Sequence, residues 1–138
     1  MRVDGLKDLR VYDAGDVMLY SGDIEQAVRL IEEDVYKITA AGAIPIILGG
    51  DHTIAWPDHT GVARHHGFGN VSMIHFDAHA DTGDILNGSL VGHGTPMRRL
   101  IESGACAETG SCSWDCADTG PTSPFCSGWP PTACGPTR

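Results

Sequence analysis

Histidines and aspartates gather in two short stretches of this 138-residue chain, each directly after an apolar run. Gly49-Gly50-Asp51-His52 follows residues 43–48, and Asp77-Ala78-His79-Ala80-Asp81 follows residues 71–76. Alternate residues of an extended segment project to one side, so Asp77, His79 and Asp81 can face one cavity. A carboxylate has two oxygens and can bridge two metal ions, whereas an imidazole offers one nitrogen to one ion. Mixed histidine and carboxylate ligands suit Mn²⁺, Fe²⁺ or Zn²⁺ better than Ca²⁺. Two such ions about 4 Å apart make a strong nucleophile of a shared water at neutral pH.

Taken alone, Gly-Gly-Asp-His is an ordinary turn. Asp-x-His-x-Asp after an apolar strand is more specific, because burying three unpaired polar groups together is costly without an ion. The pair of motifs, at the ends of successive apolar runs, favours a shared metal site over two unrelated turns. The other histidines read more blandly. His59, His65 and His66 fall in a helix or at its end and are expected on a solvated face. His75 precedes the second motif and is expected to be a hydrogen-bonded structural histidine.

The elements that must carry these motifs read as α/β units. Residues 9–17 suggest an early strand and its loop. From Asp23 to Ala41, Ile24, Val28, Ile31, Val35 and Ile38 recur at helical spacing, with Asp23 as N-cap and Gly42 to close the C-terminus. Residues 43–48, Ala-Ile-Pro-Ile-Ile-Leu, suit a buried parallel strand, with Pro45 near its start. Residues 53–66 suit a helix interrupted early by Pro57, and 71–76 the next strand. Thr95-Pro96 opens a short helix ending before Gly104. Strands alternating with helices imply a parallel sheet covered on both faces, with ligands beyond the carboxyl ends of its strands.

Composition sets the partners. The formal charge of −9 disfavours a grip on nucleic-acid phosphates and suits cations. No apolar run approaches the roughly 18 residues of a membrane span, and the first residues lack the apolar core of a signal peptide. A cytoplasmic protein is expected.

The chain changes character near Ala105. Residues 1–104 hold all seven histidines and no cysteine, whereas 105–138 hold all five cysteines and no histidine. The tail is crowded with Gly, Pro, Ser and Thr, sustains no period, and has no Cys-x-x-Cys pair that would suggest zinc. Residues 105–138 are therefore expected to be irregular and without a disulfide framework.

Three segments now resemble a family. GGDHTIAWP (49–57), IHFDAHADTGD (74–84) and GHGTPMRRLIESG (92–104) are similar to successive segments of bacterial agmatinases in the ureohydrolase, or arginase, family. The likeness runs from about Leu9 to Gly104 and marks 1–104 as the N-terminal portion of a ureohydrolase domain. It implies a three-layer α/β/α fold with a parallel sheet, present here in part. It implies two Mn²⁺ ions, with His52, Asp77 and Asp81 on the first, His79 on the second and Asp77 bridging. His93 would match a histidine at the mouth of the active site, assigned to proton shuttling or substrate contact. The implied reaction is hydrolysis of a small guanidino substrate to urea and an amine, as in polyamine metabolism, by a protein that is usually a homo-oligomer.

The departures are equally specific. Family members carry a later motif of the form SxDxDxxDP and a downstream glutamate, and neither is in this sequence. The resemblance also implies that the family's first strand is missing. After the third segment, relatives continue with a strand of the form VRGDRFVQLGLRGYWP. Codons that encode residues 106–121 can be chosen so that a one-base shift yields that same string, which points to a frameshift near Ala105. The chain as written is then expected to be an inactive remnant. The alternatives are a non-catalytic metal-binding fragment and a single-metal hydrolase of related fold, deacetylase-like.

Overall fold

The computed structural model describes residues 9–114, with side chains described as far as Cys106. Its first regular element is helix α1, Ile24–Ala40. The Asp23 side chain accepts the Gln26 amide at 2.8 Å and caps the start. At the other end Gly42, at φ +79°, turns the chain left-handed. There the Gly42 amide donates to the Thr39 carbonyl and the Ala43 amide to that of Ile38, so the last carbonyls are satisfied by a Schellman turn. The expected stripe is buried in its centre, at Val28, Ile31, Val35 and Thr39, whereas Ile24 at the tip is exposed.

A 3-10 turn, His52–Ile54, leads into helix α2, Ala55–His66. Pro57 does not interrupt this helix. It lies in the first turn, where its missing N–H has no intrahelical acceptor to lose. Helices α1 and α2 meet at Gly61, where a Cβ would stand 2.7 Å from the Glu32 carbonyl oxygen and 2.8 Å from Val35 Cβ. Beside that contact, Arg64 reaches Glu32 and Glu33 at 3.1 Å each and lies over the Tyr36 ring. His59, expected in solvent, is buried. It forms hydrogen bonds to the backbone at Val71 and Ala105 and so ties α2 to the starts of two strands. The expectation failed because it judged the helix by polarity and did not see what packs on it. His65 and His66 are exposed, as expected.

Strand β1, Val71–Phe76, is followed by a long loop, then by helix α3, Pro96–Glu102, and strand β2, Cys106–Trp114. Among the described residues the sheet has these two strands, paired in parallel from Val71 opposite Cys106 to Phe76 opposite Trp114. An irregularity between Val71 and Met73 carries β2 from Cys106 to Ser111. The expectation that the chain is irregular from residue 105 is therefore corrected over 106–114. A parallel ladder is made by backbone groups, which composition does not forbid, and Ala105 and Cys106 are buried against Ala63, Met97 and Leu100. Cys106 is a free, buried thiol whose pKa is pushed up by burial. Residues 115–138 lie outside the described residues.

Two other expected strands are absent from the described residues. Residues 9–17 form no ladder, and neither do 43–48. Ile44, Ile46 and Leu48 are exposed, as are Ile74 and Phe76 of β1. A buried parallel strand requires paired neighbours and covered faces, and the described residues supply neither around 43–48. No helix among them is long and apolar enough to cross a membrane.

Two measurements check this packing. Gly61→Ala should cost about 1–3 kcal/mol in a urea melt, because the clash is with backbone and outweighs alanine's better helix propensity. Asp58 in α2 has a buried carboxylate oxygen with no partner, and burial raises its pKa from 3.8 to about 7. The folded state thus favours the neutral acid. The resulting penalty is absent below the unfolded-state pKa, grows from about pH 4 to pH 7, and is complete above. Asp58→Asn should therefore melt higher than the parent at pH 8, by about 5 °C once partial exposure is discounted. The two melting points should converge near pH 4.

Candidate metal centre

Gly49 and Gly50, at φ +99° and +73°, make the turn that ends the extended segment 43–48. Asp51 then caps the 3-10 turn by accepting the Thr53 amide at 3.0 Å. This places His52 at the first position of that turn, facing the end of β1. From the other side come Asp77, the residue after β1, and Asp81 in the loop beyond.

That loop is held by the start of α3. The Met97 amide donates to the Asp81 carbonyl at 3.2 Å, and the Gly83 amide to that of Gly94 at 3.0 Å. Arg99 of α3 binds Asp84 at 2.9 Å. Thr95 closes the turn before α3 through the Leu90 and Gly92 carbonyls. Asp81 has φ +47°, a left-handed conformation that a non-glycine residue keeps only under outside restraint. The α3 contacts supply that restraint.

His52 Nδ1 lies 2.5 Å from Asp81 Oδ2 and 3.9 Å from Asp77 Oδ2. His75 joins them. Its Nε2 is 3.7 Å from Asp77 Oδ2, and its ring stacks on His52 with centroids 5.0 Å apart and planes 20° from parallel. One ligand atom from each of His52, His75, Asp77 and Asp81 lies within 4.8 Å of every other. His79 is placed differently. Its side chain is exposed, and its Nδ1 lies 3.2 Å from the other oxygen of Asp77, Oδ1. The two oxygens of Asp77 thus face different histidines. The His79 amide also donates to Oδ1 and holds the Asp77 carboxyl below the usual carboxylate range. His93 is exposed in the turn before α3 and is not part of the four-residue group.

The expected residues His52, Asp77 and Asp81 are therefore together, and His79 touches them through Asp77. The reading of His75 as a hydrogen-bonded structural histidine is corrected. It is buried, and neither ring nitrogen has a hydrogen-bond partner. Burial, reinforced by His52, keeps its pKa below the ordinary histidine value, in the neutral form a ligand requires. Strand parity was the available signal, since residues 75 and 77 share a face of β1. The donor set of neutral imidazole nitrogens and ionised carboxylates fits a divalent first-row ion.

Known proteins share these features. The sequence profile of the Arginase family matches residues 1–117. The mitochondrial agmatinase of Gallus gallus is 43% identical over 96 residues, covering 70% of this chain and 28% of that protein. The guanidinobutyrase of Pseudomonas aeruginosa is 42% identical over 94 residues, covering 68% of this chain and 29% of its own length. The crystal structure of a Trypanosoma cruzi formiminoglutamase with Mn²⁺ superposes at a TM-score of 0.70 and 30% identity, over 78% of this chain and 35% of that one. The chain thus spans about a third or less of the curated relatives it matches, within an arginase-like α/β fold. On its motifs, its architecture and these likenesses, the chain belongs to the arginase family.

Proposed function

We propose that these residues form the first part of a two-ion Mn²⁺ centre that hydrolyses a small guanidino compound to urea and an amine. The observation that carries this reading is the posture of Asp77. One oxygen faces His79 and the other faces His52 and His75, which suits a carboxylate shared between two ions. In this reading His52, Asp77 and Asp81 hold one ion and His79 the other. The ions would supply Lewis acidity and an activated water. The chain's own contribution is to hold the carboxylates against one another, through the α3 clamp on the Asp81 loop and the glycine turn before His52. His93, exposed beside that clamp, is assigned to proton transfer or substrate contact at the mouth. The guanidino class is supported by relatives named agmatinase and guanidinobutyrase.

Charge decides how far the 138 residues go by themselves. Asp77 and Asp81 bring two negative charges against the four positive charges of two Mn²⁺ ions, and ions so poorly neutralised bind weakly. The second ion suffers most, because its histidine is exposed. Residues 105–138 are read as out of frame with the relatives, which the nucleotide sequence beyond codon 104 tests directly. A single-metal hydrolase is the second reading, favoured by the exposure of His79; release of urea from a guanidino substrate separates the two.

The purified 138-residue chain, given Mn²⁺ and agmatine, should release urea at less than about a tenth of the rate of a full-length relative, a deficit of at least about 1.4 kcal/mol in barrier. With the shifted frame and the downstream sequence restored, Mn²⁺-dependent urea release should appear, and Asp77→Ala should abolish it. Turnover by the 138 residues within tenfold of a full-length relative would overturn this account.

A further inference from the structure

The centre contains one residue that the resemblance does not assign. We propose that His75 is a metal ligand, so that His52, His75, Asp77 and Asp81 enclose one divalent cation between them. This rests on the reading of the site as a metal centre and adds a fourth protein ligand to its first ion.

The geometry meets what a ligand needs. His75 is nine-tenths buried, in the strand that delivers Asp77, and its Nε2 points at Asp77 Oδ2 from 3.7 Å. His52 Nδ1 approaches the same oxygen to 3.9 Å. Bonds of about 2.1 Å to one ion in a tetrahedral site set neighbouring ligand atoms about 3.4 Å apart. Shifts of a few tenths of an ångström bring both nitrogens to that spacing around Asp77. The stacked rings of His52 and His75 can then direct one nitrogen each to the same point. Asp81 closes the set from the loop clamped by α3.

Burial supplies the second argument. A buried imidazole nitrogen without a partner costs about 1–3 kcal/mol, and such groups in folded proteins call for an explanation. A structural histidine would have a carbonyl or hydroxyl within reach, as His59 has the backbone at Val71 and Ala105. His75 has none. An ion on Nε2 satisfies the nitrogen that faces the carboxylates. His79, with its exposed side chain beyond Asp77 Oδ1, is left out of this set.

The test uses the 138-residue chain with one equivalent of Co²⁺, a spectroscopic substitute for the native ion. The unmodified protein should show d–d absorption of four-coordinate intensity and two paramagnetically shifted imidazole N–H signals. His75→Asn should remove one signal and weaken binding by more than about 100-fold, beyond the usual cost of losing an outer-shell partner. His79→Asn should leave the spectrum and the affinity within about threefold. Because the two-signal count is made on the unmodified chain, it stands even where His75→Asn fails to fold. Binding with a single shifted imidazole, or an affinity unchanged in His75→Asn, overturns the assignment of His75 and leaves the metal centre intact. Absence of Co²⁺ and Mn²⁺ binding in the unmodified chain overturns the centre itself, and His75 with it.

Discussion

Two carboxylates and two imidazoles crowded at the carboxyl end of one strand impose the constraint that organises the rest of this structure. Asp77 and Asp81 repel each other, and His75 offers buried nitrogens to nothing around it. Such a group persists in a fold only where the surroundings hold it, or where a cation relieves it. The surroundings here are specific. The Asp81 backbone is held left-handed by the Met97 amide, and His52 is delivered by a pair of glycines. Each ligand-bearing segment therefore depends on a helix that carries no ligand itself.

The support extends outward in layers. Helix α3 clamps the loop that bears Asp81 and Asp84, and its buried face, Met97 and Leu100, forms the small core with Ala63, Ala105 and Cys106. Helix α2 joins that core to α1 across Gly61, and His59 ties α2 to the start of each strand. The site is thus rigid on the side of α2 and α3. On the other side the extended segment 43–48 and the outer face of β1 leave Ile44, Ile46, Leu48, Ile74 and Phe76 exposed. The chain spans about a third or less of its curated relatives, so its sheet among the described residues is correspondingly narrow.

The centre is asymmetric as a result. Asp77 offers Oδ2 to a closely packed set with two imidazoles and a second carboxylate, and Oδ1 to one exposed histidine. Affinity follows ligand number and confinement. The first position is the better formed of the two, and the second depends on carboxylates that the described residues do not provide.

The sequence by itself determined the elements whose signals are local. Helix α1, with Asp23 as cap and Gly42 as stop, needs only its own backbone and one apolar stripe, and α3 announces itself through Thr95-Pro96. Strand β1 is legible from its apolar run, and His52, Asp77 and Asp81 from ligand types placed after apolar runs. Tertiary structure alone decided the rest. Residues 43–48 read as a strand, yet a ladder requires a neighbour, and composition does not say whether one is present. Residues 106–114 read as irregular, yet they pair with β1 because α3 returns the chain beside it. His59 and His75 illustrate the same limit from the side of burial. A histidine is solvated, structural or a ligand according to what other segments bring within about 4 Å of its nitrogens, and those segments are distant in the chain.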